Sequence, residues 1–547
     1  MWHSSRASKA SSLAFSNFGS KLFVASSSLV LPAVIAATFL EVLDSTVVSV
    51  ALPYISGKLS VSNTESAWGA LAYLCANAVT LPVAGALTGK IGKRNTCLFS
   101  LVFFAIASAL CSLSTTLFAF SAWRVVQGIA GGLMQPIAYA AALEAFPGQK
   151  QRSGIAVIGF ITTLAPTMGP VVGGWLTDTF GWELIFLINV PVVLLVLLII
   201  IFHYWPDEST EQRQGLHAWS IFFLCTGTLV FQIVLLRGAY YDWFQSPFIF
   251  GLSTFVAGAA VLFVMFQLNS PRPLIHLRSL VRPPFLAGCF LIGLHNFTFF
   301  ASTLALPLLL ENARGLSALT SGLYIIPRGI GSLIGMLFAT PITRRLEATY
   351  VFCIAQVCIG ISLLEMAGLP LDVNGWDLFL PQLLAGFGSA IGYVSIASMT
   401  YRRIERNQMV DASAAFGYVA TIGASLGVAA ATTSISSLEQ QVLHDFASTE
   451  SFYGSALLTR RQEITHLLRL QTIHVLPSEV TARLSHMLAP QVQHVATNLF
   501  YEYLAMTSFT LAIFACLFAA ANSVLSRSHK VALQYLRPKT SKSDISV

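Results

Sequence analysis

Residues 40–53 read LEVLDSTVVSVALP, an apolar stretch in which two carboxylates, Glu41 and Asp44, stand three positions apart. The stretch belongs to an apolar segment over 30–53, and an α-helix needs about 20 such residues to cross roughly 30 Å of hydrocarbon. An acidic side chain at the centre of a membrane helix costs about 2.5–3.5 kcal/mol. Because positions i and i+3 share a helix face, we expect both carboxylates to point into a helical bundle.

The composition of the whole chain is that of a membrane protein. Of its 547 residues 55% are hydrophobic and 10% are charged, and the mean hydropathy is +0.71; a soluble domain carries about 25% charged residues. Since lipid cannot satisfy free backbone groups, and the alternating pattern of barrel strands is absent, we predict an all-α fold. Fourteen transmembrane helices are predicted, over 30–53, 66–88, 96–117, 120–145, 154–177, 183–204, 217–236, 247–268, 286–310, 319–341, 349–370, 377–400, 409–435 and 498–524.

The helices divide into six, two and six, because hydrophilic segments at 206–217 and 269–284 bracket one pair. Paired six-helix halves indicate an internal duplication. One or two short amphipathic helices are expected in the long external loop, within TRRQEITHLLRLQTI (459–473). The predicted parts are a disordered N-terminal tail (1–29), a first six-helix bundle (30–204), two additional helices with flanking loops (205–285), a second six-helix bundle (286–524) that includes the external loop (436–497), and a C-terminal tail (525–547).

Basic residues predict the orientation of the chain. On the side of the two termini lie 22 of the 31 Lys and Arg residues, against seven on the other side. Cytoplasmic loops are enriched in Lys and Arg, so both termini are expected in the cytoplasm. This basic fringe explains the net charge of +7 without a nucleic-acid partner. The eight cysteines fall in or at the ends of predicted helices, so neither a disulfide framework nor a metal site is expected, and no cofactor is implied.

Six segments of the chain resemble conserved stretches of one transporter family. The resemblance is to the fourteen-helix drug:proton antiporters of the major facilitator superfamily, and within them to the EmrB-type multidrug exporters of Gram-negative bacteria. The segments are LDSTVVSVALP (43–53), GALTGKIGKR (85–94), RVVQGIAGGLMQP (124–136), APTMGPVVGGWLTD (165–178), GWELIFLINVP (181–191) and LRGAYYDWFQS (236–246). The resemblance implies a major facilitator fold with a 6+2+6 arrangement and one long external loop before the last helix.

The intramembrane charges are the candidates for proton coupling. A carboxyl group buried in apolar surroundings can titrate near neutral pH, as a proton carrier requires. An arginine inside the membrane needs a polar cavity or a carboxylate, so Arg124 is expected to pair with Glu41 or Asp44 and to control its charge. A structural hydrogen-bonded pair is the alternative for the two carboxylates, and a snorkelling position near the membrane edge is the alternative for Arg124.

Further residues are candidates for substrate contact and for gating. A substrate cavity is predicted from polar and aromatic residues inside helices, namely Gln127, His295, Asn296, Phe299, Arg328, Glu365 and Tyr393. Arg328 is expected either to pair with Glu365 or to line the cavity. Gating or close helix packing is predicted for Gly85, Gly92, Lys93, Arg94, Pro166, Gly169, Pro170, Gly173 and Gly174. Gly89 stands where the family usually has Asp, which removes the acidic half of the expected charge latch.

Together these features predict a proton-driven exporter of small hydrophobic or amphipathic compounds in the bacterial inner membrane. The resemblance also implies a periplasmic adaptor, docked on the external loop, and an outer-membrane channel, as in a three-component pump. No GxxxxGK[ST] loop is present, which argues against an ATP-driven pump, and no cluster of catalytic groups points to an enzyme. Transport of a specific small metabolite and a non-transporting membrane scaffold are the two alternatives.

Overall fold

The computed structural model describes residues 4–61, 63–146, 151–203, 218–270, 283–402, 404, 408–448 and 477–536. Within these residues every regular element is helical. The α-helices are α1 (Ser4–Leu59), α2 (Asn63–Thr80), α3 (Ala84–Ile91), α4 (Lys93–Ser112), α5 (Leu117–Ala145), α6 (Gln151–Phe180), α7 (Glu183–Leu187), α8 (Asn189–Phe202), α9 (Ala218–Arg237), α10 (Pro247–Asn269), α11 (Pro283–Leu308), α12 (Ala318–Arg345), α13 (Ala348–Ala367), α14 (Gly375–Tyr401), α15 (Met409–Ser448) and α16 (Pro477–Leu536).

Fourteen segments of the described chain are long and apolar enough to cross a membrane. Two of them are built from consecutive helices: α2 with α3, joined by a 3₁₀ turn at Leu81–Val83, and α7 with α8. The predicted fourteen-helix all-α architecture is therefore confirmed. The last span belongs to α16, which contains the predicted segment 498–524 in full.

Three predicted irregular segments are helical in part. The N-terminal tail was expected to be disordered, but α1 begins at Ser4, and no proline occurs before Pro32 to interrupt it. In the same way α15 continues to Ser448 and α16 begins at Pro477, so both helices extend into the predicted loop 436–497. The segment 459–473, predicted to be amphipathic, lies outside the described residues. The C-terminal tail is helical as far as Leu536.

The hydrophobic core differs between the two sides of the membrane. On the side where α1 begins and α16 ends, called here the termini side, one cluster of buried residues contains members of both six-helix halves, including Ile158, Tyr393 and Phe416. On the opposite side the buried residues form two clusters, one confined to residues 43–186 and one to residues 301–505. The two halves are thus packed together on the termini side and have separate cores on the other.

Aromatic and polar contacts close the termini side. Tyr139 of α5 lies against Tyr401 and Phe416 of the second half, with ring centroids 6.2 and 6.3 Å away. The hydroxyl of Ser413 donates a hydrogen bond of 3.3 Å to the carbonyl of Pro136. Rings and main chain of the two halves are therefore in direct contact across this part of the interface.

Candidate functional site: a charge network at the middle of the first half

Asp44 is the centre of a buried ion pair. Arg124 Nη1 donates to its Oδ2 at 2.6 Å, and the amides of Gln127 and Asn189 donate to its Oδ1 at 3.1 and 2.7 Å. Asp44 and Arg124 are 1% and 0% exposed. Both carboxylate oxygens are therefore occupied, and the negative charge is compensated by a cation in direct contact.

A second layer of contacts holds the ion pair in place. Ser108 Oγ accepts from Gln127 at 2.8 Å and from Asn189 at 3.4 Å, and Gln127 Oε1 accepts from Arg124 at 2.6 Å. The guanidinium of Arg124 lies 4.1 Å from the ring centroid of Tyr73. Its Nη2 has no hydrogen-bond partner among the described residues. Helices α1, α2, α4, α5 and α8 thus contribute to one network.

Glu41 is buried in a different environment, although it is only three residues away. Its Oε1 accepts from the hydroxyl of Tyr73 at 3.0 Å and from the amide of Asn77 at 2.7 Å. Its Oε2 has no hydrogen-bond partner in the described part of the chain. Glu41 is 4% exposed, and the Tyr73 hydroxyl and the Asn77 amide are both neutral donors. Tyr73 lies between the two groups, since it donates to Glu41 and stacks on Arg124.

Small residues on α5 bring the three helices of this site together. A Cβ atom at Gly128 would overlap the carbonyl oxygen of Tyr73, and one at Gly131 would lie 2.9 Å from the Cγ of Glu41. Small residues at membrane helix interfaces allow such close approach of backbones. Glycines in the stretch that follows Arg124 therefore allow that arginine to reach a carboxylate on α1.

The predicted cavity residues of the second half are not brought together in one open site. Arg328 is 1% exposed and donates to Gln382 Oε1 at 2.7 Å, to Ser302 Oγ at 3.3 Å and to Thr303 Oγ1. Glu365 is exposed near the end of α13, so the pairing considered for these two residues is not made. A carboxylate at a helix end reaches water easily, which explains its outward position.

The remaining cavity candidates are packed between helices. His295 is buried beside the carbonyl of Ser389, with 3.2 Å between Nε2 and the oxygen. Asn296 donates to the carbonyl of Ala420 at 3.2 Å. Phe299 is buried, with its ring centroid 5.8 Å from the guanidinium carbon of Arg328. Tyr393 is buried against Gly159 of the other half. Gln127 belongs to the Asp44 network rather than to a cavity wall.

The predicted gating turn joins α3 to α4 on the termini side. Gly92 is the single residue between the two helices, and its φ of 86° is a conformation that favours glycine. Lys93 forms an ion pair with Glu144 at the end of α5, and Arg94 donates to the carbonyl of Ile201 at 3.0 Å. The turn is thereby fixed to the ends of two further spans.

An acidic residue from the second half approaches the start of α3, about two helical turns before Gly92. A Cβ atom on Gly85 would lie 2.5 Å from Oδ1 of Asp411, which is buried at the start of α15. The first half has Gly89 where the family usually has Asp, so it lacks the acidic side chain expected at that position. A carboxylate is nevertheless present beside this segment, and it belongs to the opposite half of the molecule.

The Pro and Gly residues of α6 form two packing faces. Gly169 and Gly173 contact α1, where Cβ atoms would lie 2.8 Å from Thr46 Cβ and 3.0 Å from the carbonyl oxygen of Val47. Gly174 contacts α12 on the other face, where a Cβ atom would lie 3.0 Å from the Cα of Leu319. Pro170 also packs on α12, at Gly322, and both prolines of the motif, Pro166 and Pro170, lie inside α6.

Four polar residues of the network were not singled out from the sequence: Tyr73, Asn77, Ser108 and Asn189. Tyr73 and Asn77 are spaced i, i+4, which places two polar groups on one face of an apolar helix and is the signal that identifies them. Asn189 lies within GWELIFLINVP as its only amide. Ser108 carries no such signal, because serine is common in membrane helices.

Two six-helix halves, packed together on one side and with buried charges inside their apolar spans, are the architecture of a polytopic membrane transporter. The sequence profile of the Major Facilitator Superfamily matches residues 34–428, and the chain belongs to this superfamily.

Relatives and solved structures agree with this assignment. The chain is 30% identical to the multidrug export protein EmrB of Escherichia coli K12 over 421 residues, 76% of this chain and 81% of EmrB. It is 26% identical to multidrug resistance protein 3 of Bacillus subtilis over 478 residues, 86% and 92% of the two chains. The fold matches the proton:xylose symporter XylE with a TM-score of 0.55 at 13% identity, covering 91% of this chain and 96% of XylE. It matches the human organic anion transporter MFSD10 with a TM-score of 0.54 at 15% identity, covering 89% and 99%.

Proposed function

We propose that the protein exports several classes of small hydrophobic or amphipathic compounds in exchange for protons, by alternating access. Relatives that cover most of the chain are named for multidrug export or resistance. The observation that supports proton coupling best is the pair of unlike carboxyl groups on α1. Asp44 has a cationic partner, whereas Glu41 is buried beside neutral donors.

In this proposal Glu41 carries the proton. A buried carboxylate without a counter-ion is unfavourable, so a proton on Oε2 is the simplest way for Glu41 to remain in its present position. At Asp44, by contrast, Arg124 and two amides compensate the negative charge. When Glu41 releases its proton, Tyr73 connects it to Arg124, whose guanidinium stacks on the Tyr73 ring and whose Nη2 has no partner among the described residues. A small movement of Tyr73 or Arg124 would stabilise the new charge.

The conformational cycle follows from the asymmetric packing of the two halves. With both termini in the cytoplasm, as the basic residues indicate, the termini side, where the two halves share one buried core, is the cytoplasmic side. Separation of Tyr139 from Tyr401 and Phe416, together with loss of the contact between Gly85 and Asp411, would open the cytoplasmic side. The α6 motif, packed on α1 and on α12, would carry the motion between the halves.

The proton gradient supplies enough free energy for export. One charge moving through 100 mV provides about 2.3 kcal/mol, which corresponds to more than a tenfold concentration ratio. Substrate contacts are proposed for Phe299, Arg328 and Tyr393 once the halves separate. We place the protein in the bacterial inner membrane and propose that the segment between α15 and α16 docks a periplasmic adaptor linked to an outer-membrane channel.

The test is substrate-triggered proton release from the purified protein in a weakly buffered detergent solution. Glu41→Gln is expected to abolish the release while substrate binding and the unfolding temperature stay close to wild type. Glu365→Gln is the matched control, because it makes the same chemical change at an exposed position. Full proton release from Glu41→Gln would remove this residue from the coupling mechanism. Uptake, rather than extrusion, of drugs in proteoliposomes under an imposed pH gradient would contradict the proposed direction.

A further inference from the structure

Helices α13 and α16 pack side by side in opposite directions in the second half. A Cβ atom at Gly360 of α13 would lie 2.7 Å from the ring of Phe509 of α16, so the two helices are in close contact at this point. Just beyond the end of α13, the side-chain amide of Asn498 on α16 donates to the carbonyl of Leu369 at 3.3 Å. The residue number rises along α13 as it falls along α16, and these two contacts fix the register of the helices.

The same register brings two cysteines together toward the termini side. Cys353 lies seven residues before Gly360, and Cys516 lies seven residues after Phe509. Seven residues are about two helical turns, so each cysteine is on the face that carries the contact between Gly360 and Phe509. The two thiols are within hydrogen-bonding reach of each other, and neither is part of a disulfide. The structure therefore holds two free thiols side by side between two helices.

The two thiols are accessible from the membrane. Cys353 belongs to the buried core of the termini side, whereas Cys516 is exposed among apolar side chains of α16 such as Leu517. Both cysteines fall within apolar segments long enough to span a membrane, Ala348–Ala367 and Leu488–Leu517. A lipid-soluble compound can therefore meet Cys516 first, with Cys353 beside it.

Two thiols in apolar surroundings favour a particular kind of ligand. No group of three or more His, Cys, Asp or Glu side chains that could hold a metal occurs among the described residues, so a four-ligand zinc site is not available there. A singly charged soft cation between two thiolates would leave a net negative charge in hydrocarbon, which is costly. A trivalent arsenic atom that carries one organic group binds two sulfur atoms and gives a neutral product. Such a compound matches both the number of thiols and their surroundings.

We propose that Cys353 and Cys516 form a two-thiol binding site for lipid-soluble trivalent organoarsenicals, which enter from the leaflet on the termini side. With an arsine oxide, R–As=O, two As–S bonds form and the bonds between arsenic and oxygen break. The oxygen leaves as water with the two thiol protons, and arsenic stays trivalent, so neither an oxidant nor a reductant is needed. The site is separate from Glu41 and Asp44, and its occupancy does not depend on the proposed export.

Another cysteine on the same helix provides the matched control. Cys358 of α13 is partly exposed, but it faces α14, since a Cβ atom at Gly388 would lie 3.2 Å from the Cβ of Cys358. An arsenical attached at one thiol is held by a single bond to the protein, whereas the proposed site holds it by two. Retention against a competing thiol therefore distinguishes the two-thiol site from a single cysteine.

The test is treatment of the full-length protein in nanodiscs with phenylarsine oxide, followed by mass spectrometry of the intact protein and of its peptides. We expect a bound phenylarsenic group that joins a peptide of α13 to a peptide of α16. An excess of 2-mercaptoethanol should leave this group in place, whereas 1,2-ethanedithiol should remove it. Cys353→Ala and Cys516→Ala are each expected to weaken retention by about a hundredfold or more, and Cys358→Ala is expected to leave it unchanged.

Thermal unfolding gives a second measurement on the same variants. A ligand that binds only the folded protein raises the unfolding temperature, so phenylarsine oxide is expected to stabilise the wild type and Cys358→Ala but neither Cys353→Ala nor Cys516→Ala. Because Cys516 is exposed, its replacement is expected to leave the untreated protein folded.

Three results would overturn the proposal. Retention of the phenylarsenic group by Cys516→Ala, or its removal by 2-mercaptoethanol as readily as by 1,2-ethanedithiol, would contradict attachment at two thiols. A bridge that joins peptides of other helices would contradict the assignment to α13 and α16. Equally fast reaction with a charged, membrane-impermeant arsenoxide would contradict entry through the bilayer.

Discussion

Replacement of Asp44 by Asn tests the buried ion pair most directly. The substitution preserves the shape of the side chain but leaves Arg124, which is 0% exposed, without its counter-ion. Breaking a buried pair by removing one partner costs about 3–5 kcal/mol, because the other charge stays buried. We expect the free energy of unfolding of Asp44→Asn to fall by about this amount.

Glu41→Gln is the internal comparison for this prediction. Its side chain keeps an oxygen that can accept from Tyr73 and Asn77, and no cation loses a partner. The expected cost is about 1 kcal/mol, typical of an altered neutral hydrogen bond. The two α1 variants should therefore differ in stability by roughly 2–4 kcal/mol, although each removes one carboxylate from the same helix.

A double-mutant cycle measures the interaction itself. The unfolding equilibrium would be followed in mixed micelles with increasing fractions of a denaturing detergent for Asp44→Asn, Arg124→Gln and the double variant. The double variant is expected to be more stable than the sum of the two single effects predicts, because it leaves no isolated charge behind. Additive effects, or an Asp44→Asn protein as stable as Glu41→Gln, would refute the assignment of Asp44 as the charge-compensated carboxylate.

Two further predictions concern helix packing, the first between the two halves and the second within the second half. Cross-linking Tyr139→Cys to Phe416→Cys in a cysteine-free background should hold the termini side closed and stop transport, as measured by drug efflux from proteoliposomes. Each single-cysteine variant, treated with the same reagent, is the control. Undiminished transport by the cross-linked protein would contradict the proposed opening. Gly386→Ala places a Cβ atom onto the carbonyl oxygen of Arg328 and should lower the thermal unfolding midpoint, whereas Gly258→Ala, which meets nothing within 4 Å, should leave it unchanged or raise it slightly.

The architecture was predictable because one requirement dominates it. Every backbone group in hydrocarbon must be bonded within its own helix, so an apolar run of sufficient length has one structure available. That argument also found the pair at positions 41 and 44, since a charge inside such a run must face protein. It failed at the ends of the runs, where the hydrophobic requirement no longer applies: α1 extends back to Ser4, and α15 extends on to Ser448.

The partners within the site were predictable only in part. A carboxylate partner for Arg124 follows from the cost of an isolated charge, but the choice of Asp44 over Glu41 depends on the rotation of α5 relative to α1. That rotation is set by contacts such as Gly131 against Glu41, which involve positions far apart in the sequence. For the same reason Gln127 was assigned to a cavity, although its amide serves Asp44.

The two buried arginines, one in each half, have different kinds of partners. Arg124 has a carboxylate in direct contact and a second one linked through Tyr73, so two acidic groups lie within reach of one cation. Arg328 is held by an amide and two hydroxyls, and its Nη2 has no hydrogen-bond partner in the described part of the chain. A carboxylate that binds and releases a proton must alternate between a neutral, protonated state and an ionised state whose charge a nearby cation compensates. This requires the arrangement around Arg124, where carboxylates accompany the arginine. We therefore assign the proposed coupling step to the first half, and we propose that Arg328, whose contacts are neutral, responds to the charge of a substrate when the halves separate.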